Sequence, residues 1–261
     1  MSTSHPFSSL PHRRGQIYLE WISNRETVLW LDNPEARNAM SIAMMHQLED
    51  VVLELEEKQP NVVVIRGKNN HFCAGGDLDD VKEYLLGPDV GSAMCSWMTD
   101  LTTRIRRLPS YIIVVLEGAA IGGGAELLTL GDWIIADKKS KIGFVQARLG
   151  VTTGWGGGSR LIERIGKVKA TQLLAMSTIV SVNSALDMGL IDAVTNSIDD
   201  LLEEKMRRLM KQPSHTFTRL MTWLHHENEQ QLEHQTFSST WGSAEHRSAL
   251  GLSDGLSKTD P

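Results

Sequence analysis

Apolar residues arrive along this chain in two rhythms. Short, unbroken, largely β-branched runs at 61–65, 111–116 and 133–136 read as buried strands. Residues 17–22 and 27–31 read as two further strands around the polar turn Ser23-Asn24-Arg25-Glu26. Between them the period changes. After Ser41, a capping residue type, apolar side chains fall at Ile42, Met45, Leu48, Val52 and Leu55, near helical spacing, and Pro60 closes the segment. Residues 78–86 read as a short helix stopped at Gly87-Pro88. A longer helix is expected from about Ser92 to Leu108, closed by Pro109. Residues 150–158 read as loop, with helix from Leu161 onward. Recurring strand–helix–strand order predicts an α/β fold with largely parallel pairing. From Asp199 onward no strand is expected, only helix at 201–211 and 214–233. The chain therefore divides into a core, 1–198, and a C-terminal helical region, 199–261.

Two glycine-rich turns interrupt this pattern, Cys73-Ala74-Gly75-Gly76-Asp77 and Gly122-Gly123-Gly124-Ala125-Glu126. Each follows a β-prone run and leads into a helix. Glycine lets a ligand approach the backbone closely, and a helix start adds partial positive charge at the same place. Two such turns brought together would offer two N–H donors to one oxygen, the geometry that stabilises an oxyanion. Glu126 lies one helical turn past Gly123. It is either a group serving chemistry there or an acid complementing the helix dipole. Asp77 has the same two readings, the second as a helix cap.

Composition narrows the functional classes. The 261 residues suffice for one large core with a small annex, and a net charge of −6 argues against general nucleic-acid binding. Two cysteines, Cys73 and Cys95, are too few for a disulfide framework and point to a reducing, cytoplasmic setting. No apolar run spans a bilayer, and the polar start up to Arg14 lacks the apolar region of a secretory signal. Phosphate-loop, GxSxG and HExxH motifs are missing. His225-His226-Glu227 lacks zinc-ligand spacing and reads as a solvated helix face. Cys73 has no visible base partner and reads as a small buried residue.

Several segments, in order, resemble the crotonase (enoyl-CoA hydratase/isomerase) superfamily. They are Asn33-Pro34-Glu35-Ala36-Arg37-Asn38-Ala39, Phe72-Cys73-Ala74-Gly75-Gly76-Asp77-Leu78, Gly118 with Gly122 through Leu127, Gly150 through Leu161, and Ala185 through Ile191. The resemblance implies a β-β-α spiral core and a C-terminal helical region between subunits of a homotrimer or dimer of trimers. It implies an acyl-CoA thioester substrate, with no metal and no cofactor beyond the substrate's own coenzyme A. The Gly76 and Gly123 N–H groups would hold the thioester oxygen. Arg37, Ala39, Ala74, Gly75 and Asp77 would line the coenzyme A and acyl site, with adenine near Ala74 and phosphates near Arg37.

The resemblance has one informative departure. Hydratases of this superfamily carry a second glutamate in an F-G-x-P-E segment. Here Phe144-Val145-Gln146-Ala147-Arg148-Leu149-Gly150 is shorter and holds no acid, so Gln146 or Arg148 stands in its place. This shortened segment, Trp155-Gly156-Gly157 and Thr240-Trp241-Gly242 resemble the ethylmalonyl-CoA decarboxylase branch. That branch implies loss of carbon dioxide from a short branched malonyl-type thioester through an enolate. Trp155 and Trp241 would line the pocket. Glu126 would deliver or relay a proton, or orient the substrate carboxylate, and Arg148 is a candidate partner for that carboxylate. A hydratase or isomerase using Glu126 alone, or a silent coenzyme A-binding relative, are the alternatives.

Overall fold

The structure, a computed structural model, describes Phe7, 14–86, 88–226, 230–241 and 243–249. The polar start apart from Phe7 and Arg14, the stop at Gly87, residues 227–229 of the expected 214–233 helix and Gly242 lie outside the described residues.

Two strands, β1 (Gln16–Ser23) and β2 (Glu26–Asp32), form an antiparallel hairpin. Ser41 caps α1 (Ile42–Lys58), its hydroxyl accepting from Met44 N at 3.2 Å, and the apolar stripe of this helix is buried. The chain then repeats strand, second pairing segment, helix. In the first round, β3 (Val62–Gly67) is followed by residues 72–76 and α2 (Leu78–Tyr84). After α3 (Pro88–Arg107), the second round is β4 (Tyr111–Leu116), β5 (Ala119–Ile121) and α4 (Gly123–Leu128). The third is β6 (Trp133–Asp137), β7 (Lys141–Gly143) and α5 (Gly157–Ile165). There follow α6 (Lys167–Met176), β8 (Ile179–Ser181), α7 (Val182–Asp187) and β9 (Ala193–Thr195). Among the described residues only helices come after: α8 (Ile198–Leu209), α9 (Ser214–His225), α10 (Gln230–Thr240) and α11 (Ala244–Ala249).

The first strand of each round joins a six-stranded sheet in the order β1-β2-β3-β4-β6-β9, parallel from β2 onward. The second joins a smaller sheet, β5-β7-β8. Residues 72–76 join that smaller sheet through a single bridge, Cys73 to Ala120, and a further bridge pairs Gly76 with Met40. The glycine turns therefore occupy equivalent positions in successive rounds, and parallel pairing sets them side by side.

Both faces of the large sheet are covered, which explains its continuous apolar strands. Val63, Ile65, Ile112 and Val114 join the main core with α1 and α3 residues, while Val62, Val64, Ile113 and Val115 pack with Ile198 and Met206 of α8. The structure starts α3 at Pro88, earlier than Ser92: proline's fixed φ suits a first helical turn. No helix among the described residues is long and apolar enough to cross a membrane.

His225 corrects the expectation of a solvated helix face. Its side chain is buried, and its ring bridges Leu108 O at 2.7 Å and Asp132 Oδ1 at 3.1 Å, fastening α9 to the core. Asp132 also accepts from Arg106 Nη1 at 2.6 Å and Ile112 N at 2.8 Å. Burial pushes Asp132 upward, but His225, Arg106 and that N–H outweigh it and hold the carboxyl below its ordinary 3.8. The folded chain thus protonates Asp132 at lower pH than the unfolded chain does. Its stabilisation is complete above the unfolded value and is lost as pH falls through the folded one. Asp132→Asn should cost about 1–3 kcal/mol at neutral pH. The gap in melting temperature to the parent should hold from pH 7 down to about pH 4 and narrow only as the pH falls further; a gap unchanged in acid refutes this anchor.

Candidate active site

The first turn is built by asparagines. Asn38 Oδ1 accepts from Asn33 N, and its Nδ2 donates to Lys68 O and His71 O at 2.9 and 2.6 Å, tying residues 33–40 to the approach of the turn. Met40 then pairs across Gly76: its N–H donates to Gly75 O and its carbonyl accepts from Asp77 N. This pairing uses the groups on either side of Gly76 and leaves the Gly76 N–H directed away from Met40. That N–H has no acceptor among the described residues. Gly123 is the first residue of α4, and its N–H likewise finds no acceptor among them. The turns touch through their backbones: a Cβ on Gly75 would lie 2.9 Å from Ile121 O and 3.3 Å from Gly123 N. Two unoccupied donors on adjoining turns are what an oxygen developing negative charge requires.

The indole of Trp155 stands against both. A Cβ on Gly123 would fall 2.3, 2.5 and 2.6 Å from three consecutive atoms of its six-membered ring, Cζ3, Cη2 and Cε3. Such similar distances put Gly123 over the ring face, not at its edge. A Cβ on Gly76 would be 3.9 Å from Trp155 Cζ2 and from Val81 Cγ2. Trp155 itself is buried.

Glu126 is buried, and its carboxylate is fully engaged. Oε1 accepts from Gln146 Nε2 at 2.9 Å and Gly154 N at 3.2 Å. Oε2 accepts from Trp155 N at 2.8 Å and Gly157 N at 3.0 Å. The acid thus sits at the start of α5, where orphan N–H groups and the helix dipole favour negative charge. Gly157 makes this approach possible, since a Cβ there would lie 2.3 Å from Glu126 Cβ. The other end of the Trp155 peptide is fixed too. Its carbonyl accepts from Thr102 Oγ1 at 2.9 Å and Arg160 Nη2 at 2.8 Å. Burial pulls the Arg160 guanidinium down to about 10, with the Glu126 charge the first influence acting the other way.

The remaining candidates fall in distinct places. Gln146, not Arg148, stands beside Glu126; it is buried with its Oε1 unpartnered, whereas Arg148 is exposed. Asp77 caps α2, accepting from Asp79 N at 3.0 Å and Asp80 N at 3.5 Å, and pairs with Arg14 Nε at 3.1 Å. Arg37 is exposed, with positive φ, and its carbonyl accepts from Ala74 N at 3.1 Å. Ala39 is buried and its carbonyl accepts from Asn33 Nδ2. Trp241 is exposed after α10, stacked on Phe237 with centroids 5.2 Å apart, and is not brought to Glu126 within the chain. Cys73 is buried, and burial pushes its thiol up to about 12, as fits a packing residue. Sequence reasoning missed Thr102, Gly154 and Arg160. The Gly156-Gly157 pair with an arginine three positions on was the available signal.

Known proteins share this fold. The enoyl-CoA hydratase/isomerase family model matches residues 24–243. The chain belongs to this family. Among curated relatives, the ethylmalonyl-CoA decarboxylase of Xenopus tropicalis is 33% identical over 90% of this chain and 82% of its own length. The human protein of that name is 36% identical over 76% of this chain and 67% of its own. Solved family structures superpose closely. An enoyl-CoA hydratase from Bacillus anthracis gives a TM-score of 0.83 at 21% identity, covering 90% of this chain and 94% of its own. One from Thermoplasma volcanium gives 0.79 at 25%, covering 90% and 96%. These likenesses confirm the expected α/β crotonase-type fold.

Proposed function

We propose that this enzyme decarboxylates a short branched malonyl-type acyl-CoA, of the ethylmalonyl-CoA or methylmalonyl-CoA kind. The observation that carries the reading is the pair of unoccupied N–H groups at Gly76 and Gly123 against the indole of Trp155. The thioester oxygen accepts from both N–H groups. As the carbon–carboxylate bond breaks, its electron pair moves into the enolate and carbon dioxide leaves. Donors aimed at the charge that develops are worth about 3–4 kcal/mol apiece. The apolar ring disfavours the charged carboxylate more than neutral carbon dioxide, which favours the same step. Arg37 and Ala74, joined through their backbones, would flank the coenzyme A.

Hydration of an enoyl thioester is the second reading, favoured by the fold of the solved relatives. Against it stands an amide, Gln146, as the side chain bonded to Glu126, where two-carboxylate hydration needs a second acid. As in its family, the protein would act as a homotrimer or a dimer of trimers.

The test is carbon dioxide release from malonyl-, methylmalonyl- and ethylmalonyl-CoA, with crotonyl-CoA hydration run in parallel. Release from the branched thioesters is expected. Water addition to crotonyl-CoA without carbon dioxide would replace the decarboxylase reading with the hydratase one.

A further inference from the structure

The carboxylate of Glu126 has little capacity left for substrate. Four N–H donors occupy it, two on each oxygen, and three of them belong to the backbone of 154–157. What that carboxylate fixes is Trp155, whose N–H it accepts and whose carbonyl is held from the far side by Thr102 and Arg160. A backbone fixed on both sides sets where the side chain starts, and burial holds its ring in place. That place is the face of Gly123 and the flank of Gly76.

We propose that Trp155 is the specificity-determining residue of the acyl site and that Glu126 is a positioning residue acting through it. This rests on reading the Gly76 and Gly123 N–H groups as the seat of the thioester oxygen. An acyl group whose carbonyl is bound there must run its α-branch along the indole, with Val81 also beside Gly76. The ring is buried and backed by a clamped loop, so it cannot swing aside for a longer branch. It therefore sets an upper length on the acyl chain, and Glu126 sets the ring.

Binding reads this without turnover. Dissociation constants for butyryl-CoA and octanoyl-CoA would be measured by calorimetry, with coenzyme A alone as reference. The parent should prefer the shorter chain. Trp155→Ala should move the octanoyl-to-butyryl preference by about tenfold or more toward the longer chain, and Trp155→Phe should move it less, in the same direction. Glu126→Gln should shift the ratio the same way, yet add nothing further in the Trp155→Ala background. An unchanged ratio in Trp155→Ala and Trp155→Phe overturns the specificity role. A Glu126→Gln shift that adds in full to Trp155→Ala overturns the positioning role. If the parent releases no carbon dioxide while the ratio still moves as expected, the decarboxylase reading fails and this inference stands.

Discussion

Gly123→Ala should lower turnover about 10²–10³-fold, the usual loss when one oxyanion donor is displaced. The new methyl would need the volume now held by the face of the Trp155 six-membered ring, at 2.3 Å from its nearest atom. Either the indole must leave or the start of α4 must retreat, and both disturb the Gly123 N–H. Overpacking of this kind costs about 1–3 kcal/mol, so the variant should fold with a lowered melting temperature. Gly76→Ala is the control for stability. Its nearest neighbours would be 3.9 Å away, so its unfolding free energy should stay within about 0.5 kcal/mol of the parent. Urea unfolding of both variants, beside steady-state rates for Gly123→Ala, checks this. Parental turnover and stability in Gly123→Ala would mean that the ring does not rest on that glycine.

Glu126→Ala is expected to be the most damaging single change to stability. It strips the acceptor from four N–H groups at once, three of them buried and that of Gly154 partly so. It also removes the negative charge that counters the half-buried Arg160 guanidinium. Leaving these donors without an acceptor, and the Arg160 guanidinium without its counter-charge, costs about 3–5 kcal/mol in total, or a melting temperature lower by on the order of 10 °C. The loss should be local as well as global. The amides of Gly154, Trp155 and Gly157 should exchange with solvent slowly in the parent, though the first two belong to a loop, and fast in the variant. Slow exchange retained in Glu126→Ala would sink the clamp.

The parts legible in the sequence and the parts hidden from it divide along physical lines. The buried strands around Val63, Ile113 and Ile135 announced themselves because a strand covered on both faces needs no polar alternation. The α1 stripe and its Ser41 cap were equally plain. β5, β7, β8 and β9 are three residues each, too short to carry a period, and exist because neighbouring strands pair with them. The glycine turns were visible as composition. The clamp was not, because three of its four donors are backbone N–H groups, and side-chain identity says nothing about where a peptide points. His225 misled because exposed helical histidines are common, and its buried site is set by Leu108 and Asp132, distant in sequence.

Every partner of the Glu126 carboxylate lies later in the chain, at Gln146, Gly154, Trp155 and Gly157. During synthesis the residue therefore emerges as an unpaired anion. It sits within 111–130, a stretch of apolar and small residues whose other charge is Glu117. Stretches of that composition are prone to stick to one another before a fold encloses them, and an interspersed charge keeps them apart. The carboxylate that locks the finished site is thus also one of the two charges that interrupt this apolar stretch until the loop that claims it has been made.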